Sequence, residues 1–152
     1  MTETTIRTAL AGAVADVLES MFFREAPAET TEMAADQDAM TVRVTFEGDP
    51  PGCFGMRLAR TAANAIAADF LGEDTRSVSQ QQSTDVTLEL GNMICGAVLS
   101  RIESSASFRL ASPKVLAADI DETLPAGAIR YTVETGSGPL TVGIGMETRT
   151  CP

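Results

Sequence analysis

Residues 85–96 read Asp85-Val-Thr-Leu-Glu89-Leu-Gly-Asn92-Met-Ile-Cys-Gly96, which places two acids, an amide and a glycine at spacings of four, three and four residues. In an α-helix of about 3.6 residues per turn, positions three and four apart lie on the same face. The four residues therefore predict one straight polar stripe along a helix. Gly96 would leave a gap in the layer of side chains, where another molecule can approach closely.

The apolar residues of the same segment favour the opposite side of that helix, which we expect to run from about residue 84 to 103. Ser83 or Thr84 would cap its N-terminus, and Asp85 would then lie in the first turn, where the helix dipole favours an acid. Gly91 and Gly96 each cost about 1 kcal/mol relative to alanine inside a helix. Two such glycines in one helix indicate close packing or the close approach of another molecule. The opposite, mostly apolar side would carry Val86, Leu90, Met93, Ile94, Ala97 and Arg101.

The N-terminal half of the chain predicts a helix, a hairpin and a second helix. Apolar residues recur at helical steps over residues 4–23, and the Ala-rich residues 59–71 end at Gly72, a typical helix C-cap. Between them, alternating apolar residues on both sides of the Pro-rich turn at 49–52 predict a β-hairpin. Residues 25–40 carry five acids and predict a loop that can include an edge strand.

The C-terminal half predicts strands. Phe108 and Leu110 indicate a short strand, and alternating apolar residues over 129–133 and 140–146, joined by a Gly-rich turn, predict a C-terminal hairpin. Helices grouped apart from antiparallel strands are typical of the α+β class. We therefore expect one α+β domain over residues 1–152, with three helices packed on an antiparallel sheet.

Composition excludes several functions. The net charge of −10, from 21 acids and 11 bases, argues against nucleic acid and anionic membrane surfaces but leaves a basic protein partner open. The chain has no His, and Cys53, Cys95 and Cys151 lack the spacing of a zinc site or a disulfide framework, so we expect free thiols. A secretory signal and an apolar run of about 18 residues are both absent from the sequence, which favours a cytoplasmic protein.

Taken by itself, the polar stripe is typical of a solvated helix face. Asp85 and Glu89 also suggest paired carboxylates for acid–base catalysis, but an exposed pair lacks the burial that such catalysis uses. The sequence contains no Gly-rich phosphate loop, nucleophile elbow or HExxH motif that would compete with the stripe.

The pattern Asp85-x3-Glu89-x2-Asn92, with Gly96 after it, resembles the signature of the CheC/CheX/FliY family of chemotaxis phosphatases and is particularly similar to CheX. The spacing from Asn92 to Pro113 is two residues shorter than the family pattern. The resemblance extends over nearly the whole chain, through Val17–Phe23 in the first helix, Phe70-Leu-Gly72 before the motif and Ser112–Leu116 after it.

Some family members carry two Glu-x-x-Asn sites related by internal symmetry. The second helix of this chain offers Asn64, but Arg60 and Thr61 precede it where a Glu would be needed. We therefore expect one site per chain, as in CheX. The resemblance also implies a homodimer that joins sheet edges.

The resemblance implies a CheC/CheX-like fold and a phosphatase that hydrolyses the aspartyl phosphate of a CheY-like response regulator. Asn92 would orient the attacking water, and Glu89 would pair with the lysine of the regulator's active site. Asp85 would accept a contact at the rim, and Gly96 would admit the partner's backbone. The chain would need no cofactor of its own, because the phosphorylated partner would hold the Mg2+.

Two alternatives use the same residues. The chain could be a non-catalytic interaction module that binds a receiver domain or a chemotaxis or flagellar protein through the same face. It could also be a structural dimer whose polar stripe is only solvated.

Overall fold

The computed structural model describes residues 2–22, 28–31, 38–102 and 107–146. In this part of the chain, seven antiparallel strands form one sheet, with three long helices on one face and a short fourth helix on the other. This architecture confirms the predicted α+β class. The elements are α1 (Glu3–Phe22), β1 (Ala28–Glu29), β2 (Ala39–Glu47), β3 (Gly52–Ala59), α2 (Arg60–Leu71), α3 (Gln80–Ile102), β4 (Arg109–Leu110), β5 (Lys114–Leu116), α4 (Ile120–Thr123), β6 (Ile129–Glu134) and β7 (Pro139–Met146).

The strands follow the order β1-β6-β7-β3-β2, and β4 and β5 both pair with the outer edge of β2. Both predicted hairpins are present, as the antiparallel pairs β2–β3 and β6–β7. The two hairpins join through β3 and β7, where Met56 lies opposite Val142. The hairpins therefore form one continuous platform for the helices.

The main core lies between the sheet and α1, α2 and α3. Alternate residues of the strands point to this side, so Val42 and Val44 of β2 pack against the helices and are fully buried. From α1, Leu10 and Leu18 enter the same core and are also fully buried. Burying one such aliphatic side chain contributes about 1.5–3 kcal/mol, which fixes the helices on the sheet.

Glycines let α4 lie flat on the opposite face of the sheet. Gly55 of β3 and Gly143 of β7 are register partners. A Cβ atom on Gly143 would come within 2.5 Å of Cδ1 of Leu124, and one on Gly55 within 3.3 Å of its Cδ2. Because these positions carry no side chain, Ile120 and Leu124 reach the sheet and form a second small cluster with Cys53.

A buried arginine attaches the segment before α4 to the same face. Nη1 of Arg57 on β3 donates to Oγ1 of Thr41 at 2.7 Å and to the carbonyl oxygen of Ala118 at 3.1 Å. Its Nε lies 3.9 Å from Oδ1 of Asp119. Arg57 thus connects β2 and β3 to the segment that precedes α4.

Several elements differ from the sequence-based expectations. The strand expected around Phe108 is the shorter β4, and neither β5 nor α4 was predicted. Within residues 25–40, Ala28 and Glu29 form the edge strand β1, which pairs with β6. The predictions for residues 23, 25–27, 32–37 and 103 lie outside the described residues.

The cysteines also differ from expectation. Cys53, fully buried on β3, is disulfide-bonded, so the expectation of a free thiol is wrong there. Cys95 is a free thiol in the core, and burial raises its pKa to about 12, which keeps the unreactive thiol form at neutral pH. Cys151 lies outside the described residues.

Across the described residues, none of the helices is long and apolar enough to span a membrane.

Candidate functional site

The helix that carries the polar stripe begins at Gln80, about four residues earlier than predicted. The backbone N–H of Gln82 donates to Oγ of Ser79 at 3.0 Å, and the N–H of Ser79 donates to Oε1 of Gln82 at 2.9 Å. This reciprocal pair is a capping box, which stabilises the first turn. The prediction that Ser83 or Thr84 caps the helix is therefore wrong.

Because of this earlier start, Asp85 lies in the second turn of α3 and not in the first turn, where it was expected. Ser83 is fully buried inside the helix, and its carbonyl oxygen accepts a hydrogen bond from Oγ1 of Thr87 at 2.7 Å. The cap consequently places the whole polar stripe within the regular part of the helix.

The four stripe residues lie on the side of α3 that faces away from the core. Asp85 and Glu89 are exposed, and Asn92 and Gly96 are half-buried. All four fall within the continuous helix α3, so their spacing places them on one face. The opposite side holds the fully buried residues Leu90, Ile94 and Val98.

The charge of the stripe is not neutralised within the described part of the chain. Nε2 of Gln81 donates to Oδ1 of Asp85 at 2.8 Å, which adds a fourth polar side chain to the stripe. The one basic residue in α3 is Arg101, and it pairs with Asp16 of α1. Glu89 has no ion-pair partner among the described residues, so its carboxylate is available to a cation from another molecule.

The contact between Gln81 and Asp85 was not predicted, nor was the capping box. Both have signals in the sequence, since Gln81 precedes Asp85 by four residues and Ser79 precedes Gln82 by three. Those signals were missed because the helix was expected to start after them.

The two glycines of α3 have different surroundings. A Cβ atom on Gly91 would lie 2.9 Å from Cγ1 of Val42 on β2, whereas one on Gly96 would meet no atom within 4 Å. Gly91 therefore allows α3 to pack closely on the sheet. Gly96 leaves an open gap on the outer side, in line with the acids and the amide of the stripe.

Alanine substitutions should separate these two roles. Gly91→Ala would push a methyl group into Val42, a stiff β-branched residue, and we expect it to lower the free energy of unfolding by about 1–2 kcal/mol. Gly96→Ala meets no obstacle and should raise it by up to about 1 kcal/mol through helix propensity. Urea denaturation followed by circular dichroism measures both. Equal changes in the two variants would contradict this assignment.

The amide of α2 lacks an acidic neighbour. Asn64 is half-buried, and Arg60 and Thr61 occupy the positions one turn before it. Nη1 of Arg60 is buried without a hydrogen-bond partner among the described residues. The arrangement on α2 is therefore basic where that on α3 is acidic, and it does not repeat the stripe.

The stripe offers hydrogen bonds and negative charge. In the part of the chain that the structure describes, no group of three or more Cys, Asp or Glu residues is placed to hold a metal ion. The chemistry of the stripe is that of a carboxamide beside carboxylates on a rigid helix. Such groups can position a water molecule and pair with a cation.

Known proteins match this architecture. The family model described as chemotaxis phosphatase CheX matches residues 40–132, which include both α2 and α3. No curated protein sequence matches the chain.

Three solved structures illustrate the similarity of the fold. The chemotaxis protein CheX from Desulfovibrio desulfuricans has 22% identity and a TM-score of 0.70, over 93% of this chain and 99% of that one. CheX from Vibrio vulnificus has 20% identity and a TM-score of 0.73, over 97% and 99%. CheX of Borrelia burgdorferi, in a complex with CheY, BeF3 and Mg2+, has 15% identity and a TM-score of 0.69, over 93% and 97%.

The matched residues span more than half of the chain and contain the complete polar stripe. On this ground the chain belongs to the CheX family of chemotaxis phosphatases.

Proposed function

We propose that this protein hydrolyses the aspartyl phosphate of a CheY-like response regulator, using the stripe on α3. The observation that carries the proposal is the exposed Glu89 and half-buried Asn92, one turn apart on the outer face of a helix in a CheX-family chain. The relative from Borrelia burgdorferi, crystallised with CheY, BeF3 and Mg2+, supports a CheY-like partner.

In the proposed mechanism, Asn92 orients the attacking water. A carboxamide is both a donor and an acceptor but not a strong base, so it contributes position and not proton abstraction. An aspartyl phosphate is an acyl phosphate that already hydrolyses by itself, and catalysis then requires mainly an in-line approach of water. The water oxygen bonds to phosphorus, and the bond between phosphorus and the aspartyl oxygen breaks. The products are inorganic phosphate and the free carboxylate of the aspartate.

Glu89 acts in docking. Its exposed carboxylate has no ion-pair partner within the described part of the chain, and we propose that it pairs with the lysine of the regulator's active site. Asp85 accepts a further contact from the regulator at the rim of the interface. The open gap at Gly96 lets the regulator's backbone come close to the helix. The Mg2+ that offsets the charge of the phosphoryl group belongs to the regulator in this proposal.

The experiment must separate hydrolysis from binding. A phosphorylated receiver domain is captured by the tagged protein with Mg2+ present, and the phosphate on the bound and released receiver is measured over time. The proposal predicts preferential capture of the phosphorylated form, followed by loss of its phosphate. Stable capture without loss of phosphate would favour the non-catalytic interaction module.

We also propose that the protein forms a homodimer and that it is located in the cytoplasm, as the family resemblance implies. Equilibrium sedimentation of the whole chain tests the dimer.

A further inference from the structure

Gln81 extends the polar stripe by one turn beyond Asp85, toward the start of α3. It precedes Asp85 by four residues in the continuous helix, so the two side chains lie on the same face. Both residues are exposed, and Nε2 of Gln81 donates to Oδ1 of Asp85 at 2.8 Å. A helix rises about 1.5 Å per residue, which places Gln81 roughly 6 Å beyond Asp85 along the axis. The function proposed above assigns Gln81 no role.

The hydrogen bond determines how the Gln81 amide is oriented. A carboxylate only accepts hydrogen bonds, so the NH2 group of Gln81 must face Asp85 and its carbonyl oxygen lies on the other side of the amide. Among the described residues, neither Oε1 of Gln81 nor Oδ2 of Asp85 accepts a hydrogen bond. The pair therefore offers two further acceptor oxygens to another molecule.

These oxygens suit a basic side chain. A guanidinium or an ammonium group donates several hydrogen bonds and accepts none, and the negative charge of Asp85 attracts it. Arg101, the one basic residue of α3, pairs with Asp16 of α1. Within the part of the chain that the structure describes, Asp85 has no ion-pair partner, so this contact is open to a cation from another molecule.

We propose that Gln81 is a docking residue, which holds Asp85 in place and together with it binds a Lys or Arg side chain on the surface of the regulator. The inference rests on the proposed function, because it requires the regulator to dock on α3. Gln81 lies 11 residues before Asn92. At about 1.5 Å per residue this is roughly 16 Å along the axis, too far for Gln81 to touch the phosphoryl group that Asn92 serves. Gln81 therefore acts on the affinity for the regulator and not on the chemical step.

The test measures the affinity of the whole protein for a CheY-like receiver activated with BeF3 and Mg2+, by isothermal titration calorimetry. BeF3 takes the place of the phosphoryl group, so the complex is measured without hydrolysis. Gln81→Met keeps the length and the helix propensity of the side chain but removes the amide. We expect it to weaken binding about five- to tenfold through the lost hydrogen bonds. Gln81→Lys should weaken binding about 50-fold, because its ammonium group would also repel the regulator's cation.

A double-mutant cycle distinguishes a pair that acts together from two independent contacts. The variant that combines Gln81→Met with Asp85→Ala should bind about as weakly as Asp85→Ala alone, because the two residues share one contact. Losses that add fully would overturn the proposed pair.

Two controls make the test specific. Gln80 is an exposed amide at the start of the same helix, but it lies about 100° from Gln81 around the axis, so Gln80→Met should leave the affinity unchanged. Single-turnover release of phosphate at saturating protein should be equally fast in Gln81→Met and in the unchanged protein. A slower saturated rate would overturn the docking role.

The binding measurement also separates this inference from the proposed function. If the unchanged protein binds the activated receiver and Gln81→Met binds it equally well, the inference fails and the proposed function stands. If the unchanged protein does not bind the receiver, the proposed function fails, and this inference fails with it.

Discussion

Asn92→Ala should reduce the phosphatase rate on a phosphorylated receiver by about 100-fold or more, without preventing formation of the complex. The expected loss follows from the proposed role of the amide, because a misplaced water loses most of the rate advantage of an oriented attack. Asn92 lies half-buried on the outer side of α3, away from the core, so the variant should fold normally. Single-turnover measurement of phosphate release, at saturating concentrations of the protein, isolates the chemical step.

The chain offers a matched control for this substitution. Asn64 is also a half-buried amide on a helix, but Arg60 occupies the position one turn before it and no acid adjoins it there. Asn64→Ala should leave the rate of phosphate release unchanged. If Asn92→Ala kept the full rate, or if both variants lost it equally, Asn92 would not be the water-orienting group.

Glu89→Lys should weaken the complex with the phosphorylated receiver by about 100-fold. The substitution replaces an exposed carboxylate with a cation that would face the regulator's lysine, and like charges brought together at an interface cost several kcal/mol. Isothermal titration calorimetry or surface plasmon resonance at two salt concentrations measures the effect. Part of the lost affinity should be insensitive to salt if the complex shields the proposed contact from solvent.

A change of net charge alone would also alter the affinity, and a second variant controls for it. Glu122 is exposed on α4, on the face of the sheet opposite α3. Glu122→Lys changes the net charge by the same amount and should change the affinity by no more than about twofold. Equal losses in the two variants would show that Glu89 contributes only to the overall charge.

The sequence predicts the long elements of this fold well because their signals are local. The helical repeat in residues 4–23 and the turn at 49–52 each predict an element that the structure contains. The polar stripe is also a local pattern, since its residues belong to one helix. Its position on the outer side follows from the apolar residues opposite it.

The features that sequence reasoning missed depend mainly on contacts between distant residues. The placement of α4 requires that Gly55 and Gly143 meet on neighbouring strands, which no local pattern encodes. The disulfide at Cys53 likewise depends on which residues the fold brings together. The pairing of β5 with the outer edge of β2 also joins residues far apart in the sequence, and β5 has only three residues. Its sequence alone gives too short a pattern to predict that strand.

Catalysed hydrolysis of a receiver's aspartyl phosphate can be measured directly. The most direct measurement is the time course of phosphate release from a phosphorylated CheY-like receiver with Mg2+ present, with and without a substoichiometric amount of the protein. We expect faster release than by self-hydrolysis, with many receivers dephosphorylated per molecule of protein. A time course identical to that of the receiver alone, at concentrations where binding is demonstrated, would contradict it.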